Sequence, residues 1–96
     1  MKGISQEELI IIEKILTPFK KKYEFFAYGS RVKGNYRELS DLDIMIKGKN
    51  PIEVFELEEI KENFDNSNLS YVVNLVDYFS ISESFYNIIK DDLRKI

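Results

Sequence analysis

The chain has no histidine and no cysteine among its 96 residues, and those two absences exclude most of the common catalytic apparatus. Without cysteine there is no disulfide framework, no thiolate nucleophile and no thiolate zinc site, so nothing in the sequence calls for an oxidising compartment. Without histidine neither a Ser-His-Asp triad nor a His-ligated metal site can be assembled. Any metal held by these side chains must be a hard cation bound through oxygen: Mg²⁺, Mn²⁺ or Ca²⁺. Long apolar runs are missing as well. The longest near the N-terminus, Leu9 to Ile12, is far shorter than a signal-peptide core or a membrane span, so the expectation is a cytoplasmic protein with no membrane partner. A basic surplus is also absent. Lys plus Arg total 14 against 17 Asp plus Glu, a net charge of −3, which argues against a long nucleic acid as partner.

What is present describes a folded domain. Hydrophobic residues make up 44% and charged residues 32% of the chain, outside the range of disordered sequences. A chain of this size buries about 65% of its unfolded surface, enough for one modest core and no second. Residues 1–96 are therefore expected to form a single domain.

Alternation of helical and strand patterns runs the length of the chain. Ser5 and Glu8 form a capping box ahead of Leu9, Ile12, Ile15, Leu16 and Phe19 at helical spacing, predicting a helix from Ser5 to Thr17. Pro18 disfavours helical geometry at Thr17. Lys20, Lys21 and Lys22 follow; they suit either a solvated turn at a helix C-terminus or a phosphate contact. Phe25 to Tyr28 reads as a buried strand stopping at Gly29, and Ser30 caps a short helix to Gly34. Asp41 to Lys47 has the two-residue period of a strand, broken at Met45. Asn50, Pro51 and Glu53 mark the start of a helix carrying Ile52, Phe55, Ile60 and Phe64, ending near Asp65 to Asn68. Leu69 to Asp77 is a third strand. Ser80 and Glu83 then suggest a second capping box before Phe85, Ile88, Ile89 and Leu93. The expected fold is α/β, or α+β, in the order α-β-α-β-α-β-α, with helices packed on a small three-stranded mixed sheet. A sheet that small leaves exposed edges, so a partner chain or a homo-oligomer is expected.

Chemistry concentrates between residues 29 and 43. Gly29-Ser30-Arg31-Val32-Lys33-Gly34 leaves a strand and opens a helix, a turn whose backbone N–H groups and hydroxyl suit a phosphate. On the next strand Asp41 and Asp43 are two residues apart, so both carboxylates leave the same face. Side by side they repel at neutral pH unless something positive lies between them, and a divalent cation that also holds a nucleotide's phosphates supplies that charge. Each part alone has an ordinary explanation: a Gly-Ser pair is a common turn, and Asp-x-Asp is commonly an exposed strand edge. The conjunction in strand-helix-strand order is what points to a site.

Together these residues resemble the signature of the polymerase-β-like nucleotidyltransferase superfamily, and the Gly-Ser-Arg-x-Lys-Gly wording is similar to its minimal nucleotidyltransferase (MNT) members. The resemblance extends through Tyr71 to Tyr78 and the Ser-rich segment after it. It implies the nucleotidyltransferase fold, with Gly29 and Ser30 on the terminal phosphates of ATP, and Asp41 and Asp43 as ligands of Mg²⁺ or Mn²⁺. Arg31 and Lys33 would offset phosphate charge, or else lie on a solvated helix face. In-line attack of a hydroxyl on the α-phosphate would release pyrophosphate, the two metals stabilising the entering and leaving oxygens. Minimal members are typically antitoxins of helical HEPN-domain proteins and adenylylate a tyrosine of that partner.

The sequence departs from the family pattern at one position. Minimal members carry Val-Asp-Leu-x-Asp where this chain reads Val73-Asn74-Leu75-Val76-Asp77. Strand parity keeps Asp77 from substituting for residue 74 without a bulge. An amide neither ligates a cation with full charge nor accepts a proton. Two functions follow: an AMP transferase acting on a partner toxin, or a catalytically impaired nucleotide-binding antitoxin that acts by association. Asn74 as a plain strand residue is the third alternative. Tyr36, Tyr78, Phe79, Phe85 and Tyr86 are candidates for interface anchors or for the core.

Overall fold

Local sequence and tertiary packing agree on the first helix. The computed structural model describes residues 1–96, with α1 spanning Gln6–Leu16. Its capping box is closed in both directions: Glu8 N–H donates to Ser5 Oγ at 3.1 Å and Ser5 N–H to Glu8 Oε1 at 2.8 Å. Contrary to the expectation from Pro18, Thr17 keeps helical angles (φ −51°, ψ −42°). Its N–H and its hydroxyl both donate to the Glu13 carbonyl. Pro18 then falls in a 3₁₀ turn, Thr17–Phe19, where its missing N–H leaves little unsatisfied.

The sheet has four strands rather than three. β1 (Tyr23–Tyr28) pairs antiparallel with β2 (Leu42–Gly48), which pairs parallel with β3 (Val73–Asp77), and β4 (Arg94–Lys95) adds antiparallel to the other side of β1. The order is β3-β2-β1-β4. The fourth strand escapes sequence reading because two residues carry no period. It forms because the outer edge of β1 has free backbone groups, and Ile96 N–H continues the ladder to the Phe25 carbonyl at 2.9 Å. Leu93, expected in the last helix, is instead extended (φ −61°, ψ 129°) and leads into this strand.

Between the strands lie α2 (Ser30–Lys33), α3 (Val54–Asp65) and α4 (Glu83–Ile89). Two helix starts move from their expected places, and Asp77 bears on both. Its carboxylate accepts from Ile52 N–H, in the segment leading to α3, and from Phe79 N–H at 2.7 Å, capping the 3₁₀ turn Tyr78–Ser80. Helix α3 consequently begins at Val54 with Glu53 as N-cap and no side-chain cap bond. Helix α4 is capped by Ser82, not Ser80, through Phe85 N–H donating to Ser82 Oγ at 3.1 Å.

Each face of the sheet is covered by helices. Phe25, Ala27, Leu42, Ile44 and Ile46 pack with Ile12 and Leu16 of α1 and Ile60 and Phe64 of α3. Tyr28 and Met45 point the other way, against Ile89 and Phe85 of α4. Met45, the break in the alternating pattern, is therefore buried because β2 is central and covered on both faces. Phe55 and Ile88 are 86% and 70% exposed. Phe55 stands about 140° and about 180° around α3 from the buried Ile60 and Phe64, and Ile88 about 100° around α4 from the buried Ile89. Phe25→Ala, which empties a fully buried site, should cost about 3–5 kcal/mol in urea unfolding, whereas Phe55→Ala should stay within about 0.5 kcal/mol.

Candidate functional site

The β1–α2 turn is built on Gly29, whose φ of +84° lies in the left-handed region. A Cβ there would also come within 2.5 Å of Asp43 Oδ2. Glycine is thus required twice, once for the turn and once to let the backbone approach the Asp43 carboxylate. Short helix α2 follows at once, with Val32 and Lys33 N–H donating back to the Gly29 carbonyl at 3.1 and 3.0 Å. Gly34 (φ +93°) ends it.

Strand pairing delivers the acids to this turn. Tyr28, the last residue of β1, is registered against Asp43 of β2, and Asp43 against Asn74 of β3. Asp41 stands exposed just before β2, and Asp43 is half-buried. The Asn74 Nδ2 donates to both, 3.0 Å from Asp41 Oδ2 and 3.2 Å from Asp43 Oδ1. Burial holds the Asp43 carboxyl above the ordinary carboxylate range, with the Asp41 charge adding to the effect and the Asn74 hydrogen bond opposing it. Tyr28 feels the same charge from the other side: burial and Asp43 push its phenol up to about 12. Its ring meets Phe85 edge-on at 6.0 Å. Tyr28 is a wall of the site that sequence reading treated only as the end of a strand; its position directly before Gly29 was the available signal.

The remaining candidates are dispersed. Lys33 is exposed, its Nζ 3.5 Å from Asp92 Oδ2. Arg31 lies neither on a solvated face nor free for phosphate. It is 3% exposed, and its guanidinium donates to the carbonyls of Gly3, Ser40 and Glu38, each at 2.7 Å. Asp77 pairs with Ile46, away from the acid pair, with its carboxylate already taken by two backbone N–H groups. Lys20, Lys21 and Lys22 are exposed next to the Tyr23–Gly48 end of the sheet, opposite the Tyr28–Asp43 end. Lys22 reaches Glu56 at 3.4 Å and Glu53 at 3.8 Å. No cluster of three or more carboxylate, imidazole or thiol groups is assembled anywhere in the structure. Of the aromatics, Phe79 and Tyr36 are exposed, while Tyr78, Phe85 and Tyr86 pack around Tyr28 and Met45.

A Gly-Ser turn thus closes on Asp43, with Asp41 just before the same strand and Asn74 reaching both from a third strand. Among known proteins, the nucleotidyltransferase domain matches residues 9–96, and the chain belongs to that family. It is 39% identical over 87 residues to the "Probable protein adenylyltransferase MntA" of Haemophilus influenzae, covering 91% of this chain and 76% of that protein. A crystal structure of a toxin–antitoxin with AMP-PNP superposes with a TM-score of 0.71 at 23% identity, over 90% of this chain and 69% of that one. A mutant of the toxin–antitoxin MntA-HpeT gives 0.70 at 21% identity, over 97% and 72%. These two structural likenesses extend to the fold.

Because the folded state raises the Asp43 pKa, its ionised form opposes folding. That contribution favours the fold below the unfolded carboxylate pKa and is lost as pH rises through the folded value. Asp43→Asn should therefore raise the ligand-free thermal midpoint at pH 7 by a few degrees, and its advantage should shrink as pH falls through the raised folded-state value and be gone below about 4. A pH series of melting curves checks the sign.

Proposed function

We propose that this protein transfers AMP from Mg²⁺-bound ATP to a hydroxyl of a partner protein, acting as the antitoxin of that partner. The observation that carries the reading is the Asn74 Nδ2 lying 3.0 and 3.2 Å from oxygens of Asp41 and Asp43. One point in space is thus shared by two carboxylates, next to the Gly29–Ser30 turn. The donors are oxygens only, the chemistry Mg²⁺ prefers, and Mg²⁺ commonly takes just one or two carboxylates and completes its shell with water and phosphate. Asp41 and Asp43 would hold it, and when bound it would neutralise phosphate charge and ease deprotonation of the attacking hydroxyl.

The chain's own groups place the reactants. Gly29 brings its backbone close to Asp43, leaving room for phosphate oxygens where any other residue would intrude. The Ser30 hydroxyl and the turn's backbone would hold the terminal phosphates, with exposed Lys33 on the same short helix as a further cation. The acceptor oxygen forms its bond to the α-phosphorus as the bond to pyrophosphate breaks, and the hydroxyl proton leaves to solvent because residue 74 is an amide. Placement and electrostatics, rather than a covalent intermediate, are the protein's contribution.

Three observations favour a protein acceptor and ATP as donor. The curated relative is named a protein adenylyltransferase, a structural neighbour is a toxin–antitoxin with AMP-PNP, and Asp41, Asp43 and Asn74 line none of the molecule's clefts, so a bulky acceptor has access. In keeping with the minimal-family resemblance, the acceptor is a tyrosine of a HEPN-type helical partner. The neutral amide at residue 74 favours one second reading, an antitoxin that binds nucleotide but neutralises its partner by association.

Incubation with labelled ATP, Mg²⁺ and the partner separates the two. The first reading expects label on the partner, and Asn74→Asp should raise the transfer rate, by as much as about 10² to 10⁴ if a carboxylate base is what the site lacks. A tight complex with no label in either variant would leave only the second.

A further inference from the structure

Arg31 is the single buried charged side chain of the protein, and no carboxylate is paired with it. A buried cation without a counter-ion is costly unless its donors are satisfied. Here they are satisfied by main-chain carbonyls: Nη1 donates to Gly3, Nε to Ser40, and Nη2 to Glu38 with a longer contact to Arg37 at 3.5 Å. The guanidinium carbon lies 3.6 Å from the ring centre of Tyr71 and 5.2 Å from that of Tyr36. Gly3 N–H donates back to the Arg31 carbonyl at 2.9 Å, an approach so close that a Cβ at Gly3 would run into the Arg31 backbone.

The segments gathered by this one side chain are those that carry the site. Arg31 directly follows Ser30 of the phosphate turn. Ser40, which it holds, directly precedes Asp41. Tyr71, on which it stacks, leads into β3 and stands three residues before Asn74. If burial were the only requirement, an apolar residue of similar volume would meet it at lower cost. A planar fork that binds several carbonyls at once is what arginine offers and lysine does not.

We propose that Arg31 is the positioning residue of the site: it holds the 37–40 loop against α2 and so sets Asp41 relative to the Gly29–Ser30 turn. The second half of this proposal, that the setting matters for nucleotide, rests on the transferase reading above.

The test compares Arg31→Lys with Ile60→Val, a core substitution that loosens the fold without touching the loop. Both are studied below their unfolding midpoints. Amide hydrogen exchange is followed at Arg37 and Ser40, whose N–H groups close the loop through Ser40 Oγ and the Arg37 carbonyl, and Mg²⁺-ATP affinity is measured by calorimetry. Arg31→Lys should speed exchange at Arg37 and Ser40 and weaken Mg²⁺-ATP binding, each about tenfold, the scale of one or two lost bonds from a charged donor. Exchange in the β1 core should be unchanged, and Ile60→Val should alter neither quantity at the site. Tyr36→Leu, an exposed change that removes the outer ring, should give the same pattern at smaller size and stands in if the lysine variant does not fold. Faster loop exchange with wild-type affinity would reduce Arg31 to a structural tie and overturn the positioning role; wild-type exchange would overturn the clamp itself. A wild-type chain with no affinity for Mg²⁺-ATP would instead refute the transferase reading, while the exchange data still judge the clamp.

Discussion

Two like charges held side by side are the constraint around which this fold is arranged. Asp43 on a central strand and Asp41 just before it stand together, and their repulsion is relieved by a neutral amide donating to both. That bridge exists only because β3 runs parallel to β2 with Asn74 opposite Asp43. A one-residue slip of β3 would turn Asn74 to the other face and leave the acids without a donor. Such a slip is costly because Val73 and Leu75 of β3 pack on the α1 and α3 side while Val76 packs on the α4 side, and their places would be exchanged.

The site is therefore assembled from rigid parts on one side and tied parts on the other. Asp43 and Asn74 sit within paired strands. Asp41 and the Gly29–Ser30 turn lie outside them, and they need other restraints: the left-handed glycine for the turn and the buried guanidinium of Arg31 for the loop that ends at Ser40. Asp77 has the corresponding duty at the other end of β3, where its carboxylate holds the approach to α3 and the turn toward α4. Two charged residues of the signature region thus serve the scaffold, which leaves the chemistry to few groups. Asn74 gives that small set its particular character. An acid there would add a third negative charge and a proton acceptor; an amide supplies a hydrogen-bond donor instead, which orders the acid pair.

Much of this was legible in the sequence because it is local. The Ser5–Glu8 box, the Gly29–Ser30 turn and the Asp41-Leu42-Asp43 alternation each announce themselves within a few residues. Strand parity set Asn74 and Asp77 on opposite faces, and the register pairs Asn74 with Asp43 but Asp77 with Ile46. What escaped was decided by distant partners. Arg31 looks like a surface cation until the carbonyls of Gly3, Glu38 and Ser40 are gathered round it. Leu93 reads as helical until the free edge of β1 draws the C-terminus into the sheet, and Ser80 reads as a cap until Asp77 takes its turn. Tyr28 gains its meaning only from the strand beside it.

Asp41 and Asp43 together are proposed to hold a metal-bound nucleotide. Thermal unfolding of the wild-type chain and of Asp41→Ala and Asp43→Ala, each with and without Mg²⁺-ATP, tests it most directly, because a ligand that binds only the folded state raises the midpoint. A clear Mg²⁺-dependent rise is expected in the wild type, with its loss in both variants and ligand-free folds that stay intact. An equal rise in a double alanine variant would contradict it.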